Sequence, residues 1–124
     1  MTDSRSRHLV DPQLEPLLEM LAGFKVSAET LQELRTRPAM AVVDPADVAR
    51  TSMTVRAVPG PAGAPEVNLV IYRPVASDGV LPCIFHIHGG GYIIGSAAGG
   101  EANHRPMAAD LNCCIISVEY RLAP

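Results

Sequence analysis

Three consecutive glycines, Gly89, Gly90 and Gly91, stand directly after an apolar run at residues 81–88. That run reads as a strand covered on both faces, and residues 113–118 form a second apolar, β-branched run. Between them residues 102–111 read as a helix, provided Pro106 falls in its first turn, where a missing N–H costs little. Strand, glycine turn, helix and strand within residues 81–118 make a βαβ unit, which requires its two strands to be parallel. A chain built around such a unit is of the α/β class.

The residues before this unit carry shorter signals. Asp11-Pro12 reads as an N-cap with proline at the first helical position. Leu14, Leu17, Leu18 and Leu21 follow at helical spacing, and Gly23 ends the run. Ser27 caps a second helix with Leu31 and Leu34 on one face and Pro38 beyond its end. Residues 39–49 lose the pattern and read as a connecting loop. Met53, Val55 and Ala57 then alternate with Thr54, Arg56 and Val58, a half-buried strand. Val67, Leu69 and Ile71 alternate with Asn68, Val70 and Tyr72. The Pro/Gly-rich stretch 59–65 between these strands makes them a hairpin. Two segments result: helices at 1–50, and a sheet-forming part at 51–124.

Composition closes off several functions. Ten basic residues against thirteen acidic ones, a net charge of −3, give no basic surplus for binding nucleic acid. No stretch approaches the roughly 18 apolar residues of a membrane span. The polar start, with no apolar h-region after it, speaks against a secretory signal. Cys83, Cys113 and Cys114 fit neither a disulfide framework nor a zinc spacing. All three sit in strand-like runs, as small hydrophobes in a reducing cytoplasm would.

The segment His86-Ile87-His88-Gly89-Gly90-Gly91-Tyr92 is where chemistry can reside. Residues without Cβ atoms open backbone conformations that others avoid, so such a turn can aim amide N–H groups at a negative atom. In acyl transfer that atom is the oxyanion of the tetrahedral intermediate, and each donor is worth about 3–4 kcal/mol of barrier. On the glycines alone, a plain tight turn is equally open. A phosphate loop fits less well: no G-x-G-x-x-G with a distal acid and no G-K-[ST] ending is present. His86 and His88 lie two apart on a strand, hence on one face, yet no third ligand follows at a metal-site spacing. The closing segment, Ser117-Val118-Glu119-Tyr120-Arg121-Leu122-Ala123-Pro124, reads by itself as a hydrogen-bonded strand-end corner.

Together the two segments resemble the hormone-sensitive-lipase-like branch of the α/β-hydrolase fold, to which bacterial esterases and arylacetamide deacetylases belong. Its hallmark is an H-G-G-G loop about 30 residues before a Y-R-L-A-P strand end; here Tyr120 follows His88 by 32 positions. Glu119 stands where members more often carry Asp. The resemblance implies a set of roles. Gly90 and Gly91 would present the oxyanion-hole amides, Gly89 would permit the turn, and His88 would hold the loop in shape. Glu119 and Arg121 would form a corner behind it. The two N-terminal helices would be part of a lid, with Leu14, Leu17, Leu18 and Leu21 as pocket wall or plain packing. The implied substrate is a small acyl ester, and no metal or organic cofactor is required.

The family mechanism also needs a serine in G-x-S-x-G, then an acid, then a histidine. None of Ser4, Ser6, Ser27, Ser52, Ser77, Ser96 or Ser117 has the flanking glycines, and Ser96 follows Gly95 at the wrong spacing. His104 and His8 have no serine placed beside them by the sequence. The expectation is therefore the N-terminal part of a serine carboxylesterase with an incomplete sheet. No catalytic serine, acid or base lies in these residues, and self-association is expected through an open apolar strand. Two alternatives are a non-catalytic small-molecule-binding member, as plant hormone receptors of this family are, and a subunit completed by a separate C-terminal chain.

Overall fold

The computed structural model describes residues 6–23, 25–37 and 41–124, and these divide into two compact units, Met1–Gln32 and Glu33–Pro124. The expectations for the polar start at 1–5, for Pro38 and for the first part of the 39–49 loop fall outside the described residues.

In the first unit Asp11 accepts a hydrogen bond from the Gln13 amide at 2.9 Å, and Pro12 opens a single 3-10 turn. That turn leads into α1 (Glu15–Leu21), which buries no residue. Leu14, Leu17, Leu18 and Leu21 are all exposed. The next helix, α2 (Ala28–Thr36), begins where Ser27 and Thr30 cap each other, each side-chain oxygen accepting from the other's amide.

A third helix, α3 (Pro45–Arg50), replaces the last five residues of the loop read at 39–49. Its signal is local and was present: Asp44 accepts from the Ala46 amide at 2.8 Å, with Pro45 at the first helical position. With only six residues it shows no full apolar period, which is why periodicity misses it.

The sheet has the order β1-β2-β4-β3. β1 (Thr51–Val58) and β2 (Val67–Pro74) pair antiparallel from Thr51↔Pro74 to Val58↔Val67, the expected hairpin. β3 (Cys83–Ile87) and β4 (Cys114–Glu119) pair parallel, joined by α4 (Glu101–Asp110), so the βαβ unit is formed. β4 also pairs antiparallel with β2, which makes the sheet mixed. The architecture is thus of the α/β class, a mixed four-stranded sheet with one parallel pair crossed over by α4.

The structure decides which strand faces are covered. The inner face of β2 is the Val70 and Tyr72 face, because α4 packs there; Tyr72 is fully buried, with Ala108 and Ile115 in the same core cluster. β1 is an edge strand, and Met53 and Val55 stay exposed. β3 is the other edge, so the run expected to be covered on both faces leaves Ile84, Phe85 and Ile87 exposed. Pro106 sits sixth in α4 rather than in its first turn. There it removes the hydrogen bond to the Ala102 carbonyl, a loss offset by the burial of His104, Arg105 and Ala108 on either side.

Arg105 is the buried charge that fastens α4 to the sheet. Its guanidinium donates to the Thr51 carbonyl and hydroxyl at 3.2 and 2.9 Å, pairs with Glu101 at 2.7 Å and lies over the Tyr72 ring. Removing only the carboxylate leaves a buried cation without its anion. Because Glu101 is partly exposed, Glu101→Gln is expected to cost about 2–3 kcal/mol, below the range for fully buried pairs. Urea unfolding measures this, and a Glu101→Gln, Arg105→Met double variant should recover most of the loss.

Candidate functional site

The glycine segment leaves the end of β3 and must reverse before α4 begins. It does so in a turn over residues 90–94, where the Ile93 and Ile94 amides both donate to the Gly90 carbonyl at 3.1 Å. Gly90 has φ +124°, and a Cβ there would stand 2.0 Å from the Ile94 carbonyl oxygen. This position therefore demands glycine. Gly95 demands it equally: φ is +95°, and a Cβ would lie 2.6 Å from both the Gly89 carbonyl oxygen and the His88 ring. Gly89 has no such constraint, since a Cβ there meets open space. The turn-permitting role expected of Gly89 thus belongs to Gly90 and Gly95, and what Gly89 leaves is room beside the loop.

His88 is buried beneath the turn. Its Nδ1 lies 2.9 Å from the Gly89 carbonyl, and an acceptor there requires a proton on Nδ1. The Tyr120 hydroxyl donates to the His88 carbonyl at 2.7 Å and lies 3.2 Å from the same Nδ1. The two rings stack 4.1 Å apart at 14°. On the far side of the imidazole, Nε2 is 3.8 Å from a Glu119 oxygen, while the other Glu119 oxygen accepts from the Ala97 amide at 2.9 Å. Glu119 therefore joins the end of β4 to the turn Ala97–Gly100 that precedes α4. Arg121 is exposed.

The segments singled out from sequence thus meet at one end of the parallel strand pair. His88, Gly89, Gly90 and Gly91 form the loop, and Glu119 and Tyr120 brace it. Among the described residues the Gly90 and Gly91 amides donate to no protein acceptor. His86 turns to a different partner, its Nδ1 standing 3.1 Å from the Ser117 hydroxyl. Among the described residues no group of three metal-ligating side chains converges. Sequence reasoning passed over Gly95 and Tyr120 as parts of the loop support; a lone glycine before Ser96 was the available signal for the first.

Beneath the loop, His86 and His104 meet edge to face at 4.4 Å, and His104 lies against Tyr72. Burial, and secondarily His86, holds the His104 imidazole below its usual value of 6.5, while burial pushes the Tyr72 phenol up to about 12. The folded chain thus keeps His104 neutral where the unfolded chain protonates it. Its contribution to stability is full above 6.5 and is lost as pH falls through the lower folded value. The urea midpoint is expected to fall between neutrality and about pH 5; an unchanged slope in His104→Phe would count against this assignment.

Comparison with known proteins bears on the fold and the family. Residues 84–124 match a family model for the alpha/beta hydrolase fold. The carboxylic ester hydrolase LipN of Mycobacterium tuberculosis is 28% identical over 120 residues, which cover 93% of this chain and 31% of LipN. An arylesterase of Saccharolobus solfataricus is 38% identical over 61 residues, 48% of this chain and 19% of its own length. A solved bacterial heroin esterase aligns with a TM-score of 0.69 at 29% identity, over 93% of this chain and 37% of that one. The chain spans about a third of the length of such full-length relatives and corresponds to their N-terminal portion.

Proposed function

We propose that this chain, an N-terminal portion of the hormone-sensitive-lipase-like branch of the α/β-hydrolase fold, supplies the oxyanion-stabilising loop of a serine carboxylesterase acting on small acyl esters. The observation that carries the proposal is the pair of amides at Gly90 and Gly91. They have no protein acceptor among the described residues, and they sit in a turn that His88, Tyr120 and Gly95 hold in one shape. Donors fixed in advance stabilise a developing alkoxide without reorganisation at the moment of reaction. The carboxylesterase relatives supply the chemistry that such donors serve.

In the intact enzyme a serine hydroxyl attacks the ester carbonyl, the carbonyl π pair moves onto oxygen, and the alcohol leaves to give an acyl-enzyme. Water then attacks the acyl carbon and releases the acid. The Gly90 and Gly91 amides face the oxyanion in both steps. The serine, its acid and its base come from outside these 124 residues, and the helical segment 1–50 serves as lid. No metal or organic cofactor enters any of these steps. The compartment is the cytoplasm, in keeping with three free cysteines, of which Cys114 has its thiol pushed up by burial.

The 124-residue chain is expected to hydrolyse aryl esters no faster than its Gly90→Val variant at neutral pH. Reading the coding sequence past codon 124 is expected to reveal G-x-S-x-G. The protein expressed through that motif and the remaining triad should be active, with Gly90→Val lowering kcat by about 10²–10³. Ester turnover by the short chain clearly above its control would overturn the assignment, as would a continuing frame without the elbow.

The short chain should also self-associate. β3 is an edge strand with Ile84, Phe85 and Ile87 exposed and no charged residue along it, and such an edge templates pairing with another chain. Size-exclusion chromatography should show oligomers that Phe85→Lys shifts toward monomer. A monomer at all concentrations would refute this.

A further inference from the structure

We propose that Arg35 is a positioning residue, its guanidinium clamping the glycine turn to the segment after β4 and so fixing the direction of the Gly90 and Gly91 amides. The inference rests on the oxyanion reading for its purpose, but its geometry stands apart from it. Arg35 lies in the last turn of α2. Its Nε donates to the Ile93 carbonyl at 2.9 Å, and a terminal nitrogen of the same guanidinium donates to the Ala123 carbonyl. The two carbonyls belong to segments that are already joined once, since the Ala123 amide donates to the Tyr92 carbonyl at 2.8 Å.

A closed ring of hydrogen bonds results. It runs from Tyr92 to Ala123, from Ala123 to Arg35, and from Arg35 to Ile93. Two successive peptide units are thereby held on both sides: the 92–93 unit by the Gly90 carbonyl on its N–H and the Ala123 amide on its C=O, and the 93–94 unit by the Gly90 carbonyl on its N–H and Arg35 on its C=O. Rotation of the 93–94 unit, which Arg35 opposes, would release the Gly90 carbonyl and so re-aim the neighbouring amides, because Gly90 and Gly91 themselves offer little resistance to backbone rotation. Arginine suits such a clamp because its planar fork presents several N–H donors in fixed directions, and bonds from a charged donor are roughly twice as strong as neutral ones. Among the described residues no carboxylate pairs with Arg35, so its donors are given to main-chain carbonyls.

A cation in the last turn of a helix also complements the helix dipole, and that merely structural role must be separated from the clamp. Amide hydrogen exchange, resolved at Ile93, Ile94 and Ala123, reads the clamp directly in the 124-residue chain. In Arg35→Ala these three amides should exchange about tenfold faster, while those of β2 and β4 keep their rates. Millimolar guanidinium, far below denaturing concentrations, should slow the three amides again, which it could not do by acting on a helix dipole. Arg35→Lys, a point charge able to reach one carbonyl at a time, should restore only part of the protection. Unchanged exchange at the three amides overturns the clamp. So does a uniform rise that includes β4, or an absence of guanidinium rescue. None of these rates depends on ester chemistry, so failure of the oxyanion reading would show separately, as a kcat insensitive to Gly90→Val.

Discussion

The hydroxyl of Tyr120, donating to the carbonyl of His88 at 2.7 Å, joins the residue just past β3 to the residue just past β4. Parallel strands need a long crossover, so nothing local holds their adjacent ends together once the ladder stops. At Ile87↔Val118 the ladder does stop. The tyrosine extends the association by one further step with a side chain, and its ring then stacks on the imidazole it has brought near. From that contact the loop is built outward. His88 Nδ1 holds the Gly89 carbonyl, and Gly95 returns close enough to the same two groups that no Cβ fits. Loss of this contact would leave the turn over residues 90–94 fastened only at its far end.

A loop made of glycines pays the largest conformational entropy of any backbone. Left to itself it would sample many directions for its amides. The surroundings counter this by supplying fixed partners to the few groups that are not glycine. Tyr92, with φ of 63°, takes a left-handed conformation that its side chain disfavours. It is held there by the Ala123 amide on its carbonyl and by the Tyr120 ring at 5.9 Å. Glu119 bonds the Ala97 amide, which places the start of α4 relative to β4. Permissive residues thus occupy the centre and directional bonds the rim. That division is what a preorganised donor pair requires, because donors that must reorganise during reaction stabilise the transition state less.

How much of this could be read from residues alone follows from the range of each signal. The βαβ unit was legible because its apolar runs and glycine turn are contiguous, and the hairpin because its turn is rich in proline and glycine. α3 was hidden by its shortness, although Asp44 and Pro45 marked it. The inner face of β2 was not legible because both faces carry apolar residues: Leu69 and Ile71 look as buriable as Val70 and Tyr72. Only the position of α4 decides between them, and that is a tertiary fact. In the loop, His88 and the glycines were legible as a motif. Gly95 and Arg35 were not, because their partners lie across the fold or across the turn. A lone glycine and a helix-end arginine are ordinary in composition and acquire meaning only from the carbonyls they meet.

The same reasoning explains why Arg105 and His104 neighbour each other in sequence yet serve different ends. Arg105 reaches Thr51 at the start of β1 and carries its own counterion one helical turn earlier in Glu101. It therefore brings a satisfied charge to the helix–sheet contact. His104 faces Tyr72 and His86 and is kept neutral by burial. Two adjacent helix positions, about 100° apart, thus hold the Arg105 cation and an imidazole whose protonation burial disfavours. The helix must stay in register to keep both, because a rotation by one residue would exchange their environments. α4 is the crossover that brings β4 alongside β3, so the pair that fixes its register also fixes where Tyr120 emerges, and with it the loop that His88 and the glycines form.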